Sequence, residues 1–68
     1  MKLYYVSTNK HSNGDHEVHT SDCSLLPNFV NRKYLGHFAS CKEAVLEAKD
    51  SYPQSNGCKI CTDDCHTA

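Results

Sequence analysis

Two pairs of residues with metal-ligand chemistry stand out, His19-x-x-x-Cys23 and Cys58-x-x-Cys61. Zinc takes four nitrogen or sulfur donors at the corners of a tetrahedron, with bonds of roughly 2.0–2.3 Å. A two-residue spacer lets one turn of backbone present the Cys58 and Cys61 thiolates to a single ion. The preceding Asn56-Gly57 supplies a residue free to take the positive φ expected of such a turn. The three-residue spacer brings His19 and Cys23 within reach of the same ion where the chain curls. Thirty-four residues lie between Cys23 and Cys58, room for a strand and a helix. An ion held by both pairs would therefore join two distant stretches of sequence. Four protein ligands leave it no open position for water, so the expected role of the metal is structural rather than hydrolytic.

The other candidate ligands compete with this set. Cys61-x-x-x-Cys65 is also a workable spacing, and Cys65 with His66 can replace His19 and Cys23 in a wholly local site. Cys41 lies on the apolar stripe of a predicted helix, where a thiol acts as a small hydrophobe. That leaves Cys65 as the spare thiol beside His66, a possible base. His11, His16 and His37 read as surface residues, His16 being close enough in sequence to His19 to bind metal adventitiously.

These pairs need elements to position them. Leu3–Ser7 is a strand candidate rich in Tyr and Val, with Tyr4 and Val6 on one face and Leu3 and Tyr5 on the other. The polar stretch after it contains Asn13-Gly14, which suits a reversal, and Glu17–Thr20 returns as a second strand. Leu25-Leu26-Pro27-Asn28 reads as a turn or short irregular helix, and Tyr34–Phe38 as a third strand, with Gly36 permitting close backbone approach. Ser40 followed by Glu43 has the pattern of a capping box and opens a helix over Cys41–Tyr52. Cys41, Val45, Ala48 and Tyr52 form one stripe of that helix, and Pro53 stops it. Gln54–Gly57 reads as a polar link into the C-x-x-C turn. The expected architecture is α+β: one domain over residues 1–68, a short antiparallel sheet on one helix, and a metal at the end of that layer.

Composition supports a staple of this kind. Leu, Val, Phe and Ile supply only 12 of 68 residues, against 5 Cys and 5 His. Chains this short bury a small fraction of their surface and usually need a metal or disulfides. Tyr4, Tyr5, Phe29, Tyr34, Phe38 and Tyr52 are accordingly expected in the core. Seven basic and eight acidic residues give a net charge of −1, which disfavours a strongly basic nucleic-acid face. No apolar run approaches the roughly 20 residues of a membrane helix. The apolar stretch Leu3–Val6 is too short for a secretory signal. The expectation is a cytoplasmic chain with reduced thiols, its clustered cysteines serving as ligands rather than structural disulfides.

The succession His19-x-x-x-Cys23, Leu35-Gly36-x-Phe38, a helix with Glu43-Ala44 and Ala48, and Gly57-Cys58-x-x-Cys61 resembles small zinc modules of the Ada type. Their best-known members form the amino-terminal domain of DNA methylphosphotriester repair proteins. The resemblance spans roughly residues 18–66 and implies one zinc on His19, Cys23, Cys58 and Cys61. The family's methyl-accepting cysteine falls on His19, where a zinc-bound imidazole is a poor alkyl acceptor. The resemblance thus implies the fold and the metal but not the repair chemistry.

Three functions follow as expectations. The first is a structural zinc module, not an enzyme, acting through its surface on a macromolecular partner. The second is thiol chemistry, a redox switch or alkyl acceptor using Cys65 or a cluster cysteine. The third is weak nucleic-acid binding, the least favoured by charge.

Overall fold

A computed structural model describes residues 1–66 as four strands, one helix and two short 3₁₀ turns. The strands are β1 (Lys2–Ser7), β2 (His16–Thr20), β3 (Arg32–Phe38) and β4 (Ser55–Gly57), and the helix α1 is Cys41–Lys49. The sheet order is β3-β1-β2-β4. β1 runs antiparallel to both β2 and β3, whereas β4 pairs parallel to β2, so the sheet is mixed. The expected α+β class holds, with one helix on a four-stranded sheet. The three expected strands do pair antiparallel, and the link expected at Gln54–Gly57 is itself partly a strand that adds a parallel fourth. Parallel pairing needs a long crossover, and here the segment containing β3 and α1 supplies it.

Alternation along the strands builds the core. Tyr4 and Val6 of β1 and Val18 of β2 are buried with Ala44 and Ala48 of α1, and Leu35, Phe38, Cys41, Val45 and Tyr52 pack around them. Each fully buried valine contributes about 1.5–3 kcal/mol, so this is a small core. Of the six aromatics expected in it, only Tyr4 is buried, with Phe38 and Tyr52 packed against the core's edge. Tyr5 and Tyr34 pair on the other face of the sheet, ring centroids 5.4 Å apart, beneath the Arg32 guanidinium. Phe29 projects from a 3₁₀ turn over Phe29–Asn31 and is 81% exposed.

β3 keeps contact with both faces by means of a bulge. Tyr4 pairs with Gly36 but Tyr5 pairs with Tyr34, leaving Leu35 as the extra residue. Gly36 has φ +130°, a conformation that L side chains rarely adopt. Leu35 then packs against the core while Tyr34 stays on the opposite face.

The helix ends three residues earlier than expected, at Lys49 rather than Tyr52. The Tyr52 N–H still donates to Ala48 O at 2.8 Å, but Pro53 biases Tyr52 away from helical backbone. The Tyr52 side chain remains useful, stacked on His16 at 4.0 Å. The capping box is not formed either. Ser40 is the N-cap but makes no side-chain capping bond; its hydroxyl instead reaches the Glu43 carboxylate at 3.5 Å.

Candidate metal centre

His19, Cys23, Cys58 and Cys61 converge, and their ligand atoms all lie within 4.8 Å of one another. These four residues form a group that can hold a metal ion. β2 contributes His19, whose neighbour Val18 turns to the core. Immediately past β2 the chain folds back, with Cys23 N–H donating to Thr20 O at 3.1 Å, and this turn delivers Cys23. On the other side, Cys58 N–H donates to Val18 O at 3.0 Å, extending the β2–β4 pairing by one residue. Thr62 N–H donates back to Cys58 O at 3.0 Å and closes the C-x-x-C turn. The Thr62 hydroxyl, buried, lies 3.1 Å from Val18 O and 3.0 Å from Cys58 O and donates between them. The second ligand pair is thus fastened to the backbone beside the first.

Every sulfur of the group receives a backbone N–H. Leu25 donates to Cys23 Sγ, Ile60 to Cys58 Sγ and Thr20 to Cys61 Sγ, each at 3.4 Å. Such bonds favour the charged thiolate, the form a metal requires. The Cys23 and Cys58 sulfurs are 3.9 Å apart, and Cys61 Sγ is 3.9 Å from His19 Nδ1. His19 therefore turns Nδ1 to the cluster. Its Nε2 faces the Glu17 carboxylate at 3.7 Å, and His11 Nε2 approaches that same oxygen at 3.1 Å.

The two shifted groups of the site pull in opposite directions for metal binding. Burial pushes the His19 imidazole below its ordinary pKa, opposed by Glu17 and reinforced by His11, so the ring stays neutral as a ligand must. Burial also pushes the Cys61 thiol up, reinforced by the Cys23 side chain and opposed by the Thr20 N–H. A bound metal reverses this last effect, because a coordinating thiol is deprotonated outright.

The remaining expectations fare unevenly. Cys65 is not a spare thiol, and Cys41 is more than a small hydrophobe. A disulfide joins them, with Cα atoms 6.2 Å apart, which corrects the expectation that the cysteines avoid structural disulfides. His66 turns Nδ1 to Gly57 O at 3.0 Å, so the local Cys65–His66 alternative is not the group that converges. His16 is buried rather than on the surface, its Nδ1 2.9 Å from Ser7 O, and does not join His19. Gly57 does not take a positive φ, which among the described residues is confined to Gly14 and Gly36. Its need is for space. A Cβ there would lie 2.7 Å from Thr62 O and 2.9 Å from atoms of Cys65.

Glu17 and Thr62 escaped the sequence reading. Glu17 had a signal available, since residues two apart on a strand share a face, which places it beside His19. No helix among the described residues is long and apolar enough to cross a membrane. Compared with protein-family models, curated proteins and solved structures, the chain matches none.

Proposed function

We propose that this protein is a small structural zinc module of the Ada-like type, in which the metal holds the fold and the surface binds a macromolecular partner. The convergence of His19, Cys23, Cys58 and Cys61 carries the reading. Tetrahedral bonds of roughly 2.0–2.3 Å put neighbouring donors about 3.3–3.8 Å apart. The Cys23–Cys58 and His19–Cys61 separations are both 3.9 Å and none of the others exceeds 4.8 Å, so an inward movement of up to about 1 Å completes a tetrahedral site. One imidazole with three thiolates is a donor set zinc favours over the harder magnesium and calcium, which take oxygen. Four protein donors fill its coordination shell, which supports a structural role. The exposed Phe29 and Val30, 81% and 78% accessible, offer apolar surface for a partner.

Elemental analysis of purified protein tests the reading. One zinc per chain is expected, with unfolding on chelation because metal binding and folding are coupled in such domains. His19→Ala should no longer retain stoichiometric zinc. A protein that keeps its fold and its circular dichroism after complete metal removal would falsify the proposal.

A further inference from the structure

The Cys41–Cys65 disulfide lies beside the candidate metal centre: Cys65 is four residues after Cys61, and all three cysteines line one hollow. Cys41 is the first residue of α1, and Cys65 closes a 3₁₀ turn over Asp63–Cys65 that begins two residues after Cys61. The Cys65 backbone presses on Gly57, leaving no room for even a methyl group there, and Gly57 directly precedes Cys58. His66 adds a contact to Gly57 O at 3.0 Å. The chain that follows Cys61 is thus held to α1 by a covalent bond, and the residue that precedes Cys58 is packed against it. Cys41 and Cys65 are half-buried and, with the candidate ligand Cys61, line one open hollow of about 670 Å³; Cys65 borders a second.

We propose that Cys41–Cys65 is a site of reversible thiol–disulfide modification that sets how tightly the centre holds its metal. The inference rests on the zinc reading above. With the disulfide closed, the segment carrying Cys58 and Cys61 is tied to α1. Opening it leaves that segment on β4, the bonds to Val18 O and noncovalent packing.

The co-reactant is a dithiol reductant. Its first thiolate attacks Cys65 Sγ from the hollow, the protein S–S bond breaks, and Cys41 leaves as a thiolate that takes a proton from water. The second reductant thiol, giving up its proton to water, displaces Cys65, which takes up a proton in turn, and the reductant departs as its own disulfide. The protein gains two electrons and two protons. A disulfide oxidant runs the exchange in reverse.

Because folding and metal binding are coupled, a cross-link that restricts the open chain registers as metal affinity. The test is competitive zinc titration of the wild-type protein with its disulfide intact and after reduction by a phosphine, which avoids the zinc chelation of dithiols. Zinc should bind roughly 30- to 1,000-fold more tightly to the oxidised form. The double variant Cys41→Ser/Cys65→Ser should match the reduced wild type in both buffers. Thiol counting under denaturing conditions, without reductant, should find the three cluster cysteines and no others in the oxidised form.

Equal affinity in the two redox states, or five titratable thiols in air-oxidised, zinc-loaded protein, overturns the redox coupling while leaving the zinc reading intact. No zinc binding in either state overturns the zinc reading and the coupling with it. The wild-type comparison needs no variant, so a double variant that fails to fold does not blunt the test.

Discussion

Glu17 sits between two imidazoles, one of which is a candidate ligand. A carboxylate behind a metal-bound histidine orients the ring and strengthens it as a donor, and its loss typically costs 10- to 100-fold in metal affinity. Glu17→Gln should therefore weaken zinc binding by about tenfold without changing stoichiometry, as read by competitive titration. Thr62 acts through the backbone instead. Thr62→Val removes the hydroxyl that lies between Val18 O and Cys58 O, and the metal-loaded protein should lose about 1–3 kcal/mol in urea unfolding. The four converging residues were legible because donor type and spacing are one-dimensional properties. Thr62 was not, because its importance depends on which carbonyl β4 places beside it. His16 misled for a similar reason: its polarity suggests surface, but Ser7 O satisfies Nδ1 and Tyr52 covers the ring.

Among the elements, β4 and the turn after it depend most on context. Three residues reading Ser-Asn-Gly carry no strand propensity; they form a strand because β2 offers an unpaired edge and the crossover returns the chain beside it. Helix α1 was legible in its start and its stripe, whereas its end followed Pro53 back by three residues. The Cys41–Cys65 pairing was not legible at all, since pairing is set by three-dimensional proximity and the sequence offers several partners. The tight packing at Gly57 gives this scale its prediction. Gly57→Ala drives a methyl group into Thr62 O and the Cys65 backbone, neither of which is a flexible side-chain end. The variant should lose about 1–3 kcal/mol of stability, and its zinc affinity should fall with it, because the displaced turn carries Cys58 and Cys61.

At the scale of the molecule, polar contacts fasten the β1–β2 loop to the chain that enters β4. The Asp15 carboxylate accepts from Gln54 Nε2 at 2.9 Å and from Asn56 and Asn13 Nδ2 at 3.2 Å, tying the β1–β2 loop to the approach of β4. The Gln54 bond, then that from Asn56, hold the carboxyl below its ordinary value of 3.8. A lowered folded value means stabilisation that is complete above the unfolded pKa and is lost only as pH falls through the folded one. Asp15→Ala should therefore lower the unfolding midpoint at neutral pH, and the difference should shrink as pH falls below about 4; a difference that persists undiminished in acid counts against the assignment. The sparse apolar content seen in the sequence has its counterpart in a core cluster of five buried residues.

The separation of the ligand pairs also has a temporal side. Cys23 and Cys58 are 35 positions apart, and ribosomes add roughly 5–20 residues per second. For about 2–7 s, then, the growing polypeptide displays an incomplete half-site, one imidazole and one thiol without their partners. Any ion caught during that interval is held by two donors and easily surrendered. Full loading of the candidate site must follow delivery of Cys61, so any metal bound there is a late arrival in biogenesis rather than a nucleus around which synthesis proceeds.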